Sequence, residues 1–178
     1  MAEDNKELSF HIDILQKIIT RTDGFHNYAN TKSTILITFI TACFVAIFTN
    51  YKNAIEALGS SQYPCLIVFF KIGITITLIM LMCAFYFAGK TVIPYLKPSD
   101  RKNIYSFVDA VHFYKTEQDY CSGIMTSPKT DIIESMASLQ YNLSKGLIEK
   151  YKNHRKSIFF IIASIIMLTL NIALVFIA

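Results

Sequence analysis

The chain has 178 residues, 53% of them hydrophobic and only 17% charged, with a net charge of +4 and a mean hydropathy of +0.39. A soluble domain carries about 25% charged residues, so the deficit points to membrane residence, and at this length neither a repeat solenoid nor a two-domain cofactor enzyme fits. Four cysteines without paired spacing, lying largely in apolar runs, exclude a disulfide scaffold.

Residues 1–32 open on the acidic MAEDNKEL and then carry Leu8, Ile12, Leu15, Ile19, Thr22, His26 and Ala29 at spacings of three and four. This predicts an amphipathic helix running into the first apolar stretch, with Gly24 as the place where it would break. Apolar sequence begins only near residue 35, past the usual position of a cleavable leader, so the first span is expected to stay as an anchor. Three stretches are apolar enough to cross a bilayer: 33–49, 64–88 and 157–178. A short external loop, 50–63, is expected between the first two.

Lys and Arg number four in residues 1–34, one in 50–63 and eleven in 89–156. Positive-inside bias places the N-terminus and 89–156 in the cytoplasm and Ala178 outside. The basic excess next to the third span (Lys150, Lys152, Arg155, Lys156) is explained by anionic lipid headgroups, so no nucleic-acid partner is expected.

Residues 89–156 read as two helices. Lys97-Pro98-Ser99-Asp100 marks a turn and helix start, after which Ile104, Phe107, Val111, Tyr114, Gln118 and Cys121 step by three or four. Ser127-Pro128 marks a second start, serine as cap and proline in the first turn. That helix carries an apolar row (Ile132, Met136, Leu139, Leu143) beside a partly polar one (Ile133, Ala137, Gln140, Ser144, Leu147, Tyr151), and would run unbroken into the third span. Such faces need partners, so the expected fold is all-α: three transmembrane helices continuous with a cytoplasmic helical bundle.

Enzyme signatures are missing: the sequence has no P-loop, G-x-S-x-G, H-E-x-x-H or C-x-x-C. The four histidines (His11, His26, His112, His154) lack partners at ligand spacing and read as surface or bundle groups, so no metal, cofactor or catalysis is expected. Lys71 falls inside the second apolar run. Its charge there is either functional or, by the preferred reading, snorkels to the outer interface seven residues past Pro64. Asn171, in an otherwise uncharged span, is expected to bond between helices of a homo-oligomer.

The order of segments, with N-T-K-S at Asn30–Ser33 before the first span, an aromatic-rich helix (IYSFVDAVHFYKTEQDY) and then Q-x-x-x-S and K-Y ahead of the last span, resembles the Pycsar effector transmembrane family of bacterial anti-phage defence. Thr31 and Lys32 match that family's D-T-K-A; Gln140, Ser144, Lys150 and Tyr151 match its later motif. Asn30 stands for the usual aspartate, Ser33 for the alanine, and His154-Arg155 where a leucine is common.

The resemblance implies an inner-membrane effector, with a cytoplasmic N-terminus, that senses a cyclic pyrimidine mononucleotide (cCMP or cUMP) made by a partner cyclase. It then impairs the membrane, causing abortive infection. A binding site for such a ligand needs cationic or amide donors, polar readers and an aromatic surface. The candidates are Lys32, Gln140, Ser144, Lys150, Tyr151 and Arg155, with Phe113 and Tyr114 for stacking. Two other readings stay open: a membrane scaffold or accessory subunit docking a protein partner, and a ligand-independent, holin-like permeabiliser.

Overall fold

The computed structural model describes residues 2–59, 64–94, 96–99 and 102–177. Of the described residues 90% are helical and none lies in a strand. Among the described residues five helices follow in order: α1 (Ala2–Gly59), α2 (Cys65–Val92), α3 (Phe107–Phe113), α4 (Glu117–Thr126) and α5 (Lys129–Ile177). α1, α2 and α5 are each long and apolar enough to cross a membrane. The 58 residues of α1 extend about 87 Å at 1.5 Å per residue, far beyond the ~30 Å hydrocarbon core of a bilayer.

Two compact units are formed, Met1–Tyr28 with Pro94–Glu149 and Ala29–Ile93 with Lys150–Ala178. Both long helices contribute to each.

In the first unit, Leu8, Ile12, Leu15, Ile19, Thr22 and His26 form the least exposed line of α1, as their spacing predicts. Met136 on α5 is fully buried. Gly24 does not break the helix, and α1 runs through it into the apolar stretch as its pattern predicts. A glycine inside a helix costs about 1 kcal/mol, too little to stop a helix anchored on both sides.

Over residues 102–122 the predicted helix is replaced by coil and two short helices, each started by a capping hydroxyl. Ser106 accepts from the Asp109 amide, and Thr116 accepts from the Asp119 amide. Ser99 lies in coil rather than opening a helix, and Asp100 lies outside the described residues. The apolar stripe read across this region is not a buried face: Phe107 and Val111 are 75% and 85% exposed.

A polar network takes its place. The Asp109 carboxylate accepts from the Ser99 amide at 2.7 Å and its hydroxyl at 2.6 Å. Asn142 donates to Ser99 Oγ at 2.8 Å, and Asn103 donates to the Ser135 carbonyl at 2.8 Å. Asn103 Oδ1 also accepts from the Tyr105 and Ser106 amides. The network satisfies polar groups that burial would otherwise penalise by several kcal/mol each; a helical reading of the apolar spacing has no place for it.

α5 starts where Ser127-Pro128 predicts. The Ser127 hydroxyl donates backwards to the Gly123 carbonyl at the end of α4, and the Pro128 carbonyl accepts the first bonds of α5.

The second unit packs the apolar parts of α1, α2 and α5 around Ile40, Ile47, Leu58, Phe70, Ile74, Leu81, Ala84 and Ile161. Leu58 is fully buried, and α1 runs to Gly59, so residues 50–59 of the expected loop are helical. Residues 60–63 and Ala178 lie outside the described residues. α2 also continues past its predicted end, to Val92.

α2 faces its neighbours with small residues: Gly73, Thr77, Ala84, Ala88 and Thr91 are all buried. Such a line permits close helix approach. Ser157 Oγ donates to the Ala84 carbonyl at 2.9 Å across it. Asn171 is turned inward against Gly73, its Nδ2 donating to the Met167 carbonyl at 2.8 Å. Large apolar side chains such as Ile35, Phe48, Phe69 and Phe159 point outward, as a hydrocarbon surrounding requires.

Candidate functional site

The sequence-predicted residues fall into two clusters, one in each unit. In the first unit, α1 and α5 bring together Thr22, His26, Gln140 and Ser144. Gln140 Nε2 donates to Thr22 Oγ1 at 2.9 Å and Ser144 Oγ at 3.2 Å. Thr22 passes its own proton to the Ile18 carbonyl. His26 Nε2 lies 2.9 Å from the Leu143 carbonyl, so that nitrogen carries the proton. Gln140 Oε1 is buried and has no partner among the described residues. The pairing of Gln140 with Ser144 follows from their i,i+4 spacing; Thr22 and His26 lie on the predicted α1 stripe but carried no chemical signal of their own.

The aromatic candidates of the same unit differ in availability. Phe113 is 36% exposed, its ring edge against His112. Tyr114 is buried, with Lys102 Nζ 3.9 Å above its ring centroid and Tyr120 at 5.1 Å in a T-shaped contact. Gly123 packs so closely that an added Cβ would lie 2.8 Å from the Tyr114 ring. Burial, and secondarily Tyr120, pushes the Tyr114 hydroxyl above its ordinary pKa. The expectation that Tyr114 offers a stacking face is therefore corrected: Lys102, Tyr120 and Gly123 already occupy its surroundings.

In the second unit, α1 and α5 form a ladder next to the third span. Lys150 is 6% exposed, and its ammonium donates to Asn30 Oδ1 at 2.6 Å. No ion pair reaches Lys150 among the described residues, whose ion pairs lie elsewhere. Burial lowers its pKa. Thr91 Oγ1 on α2 lies 3.4 Å from the Lys150 carbonyl, at the edge of hydrogen bonding, and donates more closely to Phe87 at 3.1 Å.

One helical turn on, Ser33 Oγ stands 2.9 Å from His154 Nδ1. Burial first, and the nearby Lys32 charge second, hold the His154 imidazole below its ordinary pKa. Lys32 itself is exposed. Tyr151 and Arg155 are exposed on α5 of this unit. Asn30 and Lys150 were marked by their motifs. The partnership of Ser33 with His154 was not, because the two lie 121 residues apart.

The remaining candidates lie elsewhere in this unit. Lys71 is exposed on α2. Asn171 is 2% exposed, and its Oδ1 lacks a hydrogen-bond partner among the described residues. That oxygen would lie 2.3 Å from a Cβ at Gly73, so it rests against the glycine's Cα–H, a weak acceptor contact. Among the described residues no group of three or more His, Cys, Asp or Glu gathers as a metal site.

A family model described as the Pycsar effector protein domain matches residues 14–177, almost the whole chain and parts of both units. No curated protein and no solved structure matches.

Proposed function

The chain belongs to the Pycsar effector family, and we propose that it senses a cyclic pyrimidine mononucleotide, cCMP or cUMP, and answers by impairing the bacterial inner membrane. As a member it is an effector of anti-phage defence, and its three apolar helices make it a membrane protein. In the proposed arrangement the N-terminus and 89–156 face the cytoplasm, where a partner cyclase supplies the ligand.

Lys150 carries the reading. An ammonium taken out of water costs several kcal/mol unless it is paired, and an amide oxygen compensates a charge only in part. The cyclic phosphate is a single negative charge that would displace Asn30 and form the stronger, charge-assisted bond. Lys32 adds a second positive charge in the same unit. A state of α1 and α5 that admits the phosphate to Lys150 would bind ligand better than the state described above. Ligand would then populate that state in proportion to this preference. Gln140, in the other unit, is a separate candidate: its unpaired Oε1 suits an N–H donor of the pyrimidine. Loss of membrane integrity is the proposed output of the α5 rearrangement.

The test is dye release from vesicles holding the full-length protein, with cCMP, cUMP, cAMP, cGMP or no nucleotide. Release with a cyclic pyrimidine alone is the expected result. Lys150→Met should abolish it while Lys71→Met preserves it. Vesicles that stay sealed under every nucleotide, or leak equally without any, would overturn the reading.

A further inference from the structure

The unit built from Ala29–Ile93 and Lys150–Ala178 gathers cations where α2 ends and the apolar part of α5 begins, and gives them no countercharge. Lys90, Lys152, Arg155 and Lys156 are all exposed there. The only acidic side chain in this unit's sequence is Glu56, which pairs with Lys52 near the C-terminal end of α1. Among the described residues, none of the four cations joins an ion pair.

Two of them, one from each helix, are held by a single aromatic group. Lys90 Nζ stands 5.2 Å from the Tyr86 ring centroid, and Lys156 Nζ 5.2 Å from that of Phe87. The Tyr86 and Phe87 rings meet edge to face at 5.4 Å, and Phe87 stacks on Phe160 of α5 at 5.8 Å. A ring face attracts an ammonium without neutralising it, so both charges are positioned and still unspent. Tyr86 is 57% exposed and adds a hydroxyl beside them.

The same two rings close an apolar furrow that runs along α2 from Thr75 past Ile79 and Met82. Its twelve residue steps cover about 18 Å at 1.5 Å each. One leaflet of a bilayer has a hydrocarbon depth of about 15 Å, half of the ~30 Å core.

We propose that this corner of α2 and α5 binds one anionic phospholipid, its phosphate between Lys90 and Lys156 and an acyl chain in the Ile79–Met82 furrow. The proposal rests on the helices spanning a bilayer and not on nucleotide sensing. A soluble anion would satisfy the lysines but leave the furrow unused, and a zwitterionic lipid would fill the furrow but bring no net charge. Cations already held over rings lose little freedom when the phosphate arrives, which favours a defined site over a diffuse attraction.

The test uses full-length protein in phosphatidylcholine vesicles with a minor share of phosphatidylglycerol, either lipid carrying a photoreactive acyl chain. The phosphatidylglycerol probe should label α2 between Ile79 and Tyr86, and the phosphatidylcholine probe should show no preference for that segment. Lys90→Gln and Lys156→Gln should each lower the selective labelling about fivefold and together about thirtyfold, one lysine–anionic lipid interaction counted once and twice. Lys71→Gln and Arg155→Gln should leave it in place. Ile79→Trp, which fills the furrow and touches no charge, should reduce it. Thermal midpoints in neutral detergent should match the wild type throughout.

Equal labelling by both probes would overturn the proposal, as would a loss in Arg155→Gln as deep as in Lys156→Gln, or unchanged labelling in Ile79→Trp. Competition by inorganic phosphate or cCMP, but not by unlabelled phosphatidylglycerol, would assign the lysines to a soluble anion instead. The labelling is read without nucleotide, so a failed nucleotide response leaves its result intact, and the reverse also holds.

Discussion

Ser33 Oγ and His154 Nδ1 stand 2.9 Å apart, joining α1 to α5 one turn from the Asn30–Lys150 bond. A hydroxyl and an imidazole satisfy one another here, where two apolar groups would simply pack. Replacing both partners of a hydrogen bond by apolar groups is close to neutral, whereas removing one leaves the other unsatisfied at about 1–3 kcal/mol. Ser33→Ala alone should therefore lower the thermal midpoint in detergent. Ser33→Ala with His154→Leu should recover most of it, and additive losses in the double variant would refute the pairing.

The same histidine gives the fold a pH dependence with a defined sign. Burial and the Lys32 charge lower the His154 pKa in the folded chain, so below about pH 6.5, where an unfolded histidine titrates, the unfolded state binds more protons. Stability from this group is then complete at neutral pH and falls as the pH drops from about 6.5 towards the depressed folded value. The thermal midpoint should decline between about pH 7 and 5 more steeply in the wild type than in His154→Leu. Parallel pH profiles would show that another group is responsible.

At Gly73 the Asn171 side chain of α5 lies directly against α2. A methyl group there would collide with Asn171 Oδ1, and Asn171 is fully enclosed. Overpacking of this kind costs about 1–3 kcal/mol. Gly73→Ala should therefore destabilise the protein, and Gly73→Ala with Asn171→Ala should restore part of the loss by removing the obstructing amide. Chemical denaturation in micelles reads both. If the double variant is no better than the single one, the contact is not what requires glycine at this position.

Which features could be read from sequence follows from how local each one is. The three apolar runs and the continuity of α1 and α5 depend on neighbours within a few turns, and both helices run unbroken into their apolar parts, α1 ten residues beyond its expected end. The α1 stripe ending in Thr22, His26 and Ala29 is legible for the same reason, as is the Gln140–Ser144 pair. Residues 102–122 failed because apolar spacing competes there with polar residues whose partners are distant. Asn103 reaches Ser135, and Ser99 holds Asp109 and Asn142, links that no period of three or four encodes. Tyr114 looked available because aromatic composition does not reveal that Lys102 and Gly123 cover it.

Asp109 is the centre of that distant network, fully buried with both carboxylate oxygens on Ser99. Hydrogen bonds to a charged group contribute about 1.5–3 kcal/mol. Asp109→Asn keeps the volume but places an N–H₂ where Ser99 presents a donor. The expected effect is faster hydrogen exchange and proteolysis within 94–149, with the apolar helices still protected. Uniform loss of protection along the chain would mean that the network supports more than the segment it occupies.

Asn30 decides how much of the Lys150 charge is left for a ligand. With asparagine the ammonium has an amide partner at 2.6 Å; with aspartate it would have an anion. Asn30→Asp should raise the thermal midpoint, because the buried cation gains a countercharge while few other contacts change. It should also raise the Lys150 pKa towards its ordinary value, opposing the effect of burial. If the phosphate of a cyclic nucleotide binds at Lys150, the new carboxylate competes with it, and more nucleotide is needed for half-maximal dye release. A variant that is stabilised yet releases dye at the wild-type nucleotide concentration would keep the Asn30–Lys150 contact as structure and move the phosphate elsewhere. Lys150→Met separates the two roles further. In that variant the relief of a buried, imperfectly paired charge is offset by the Asn30 oxygen left without its donor. A protein of near wild-type stability that no longer responds to nucleotide is therefore the combination expected of a residue kept for binding rather than for folding.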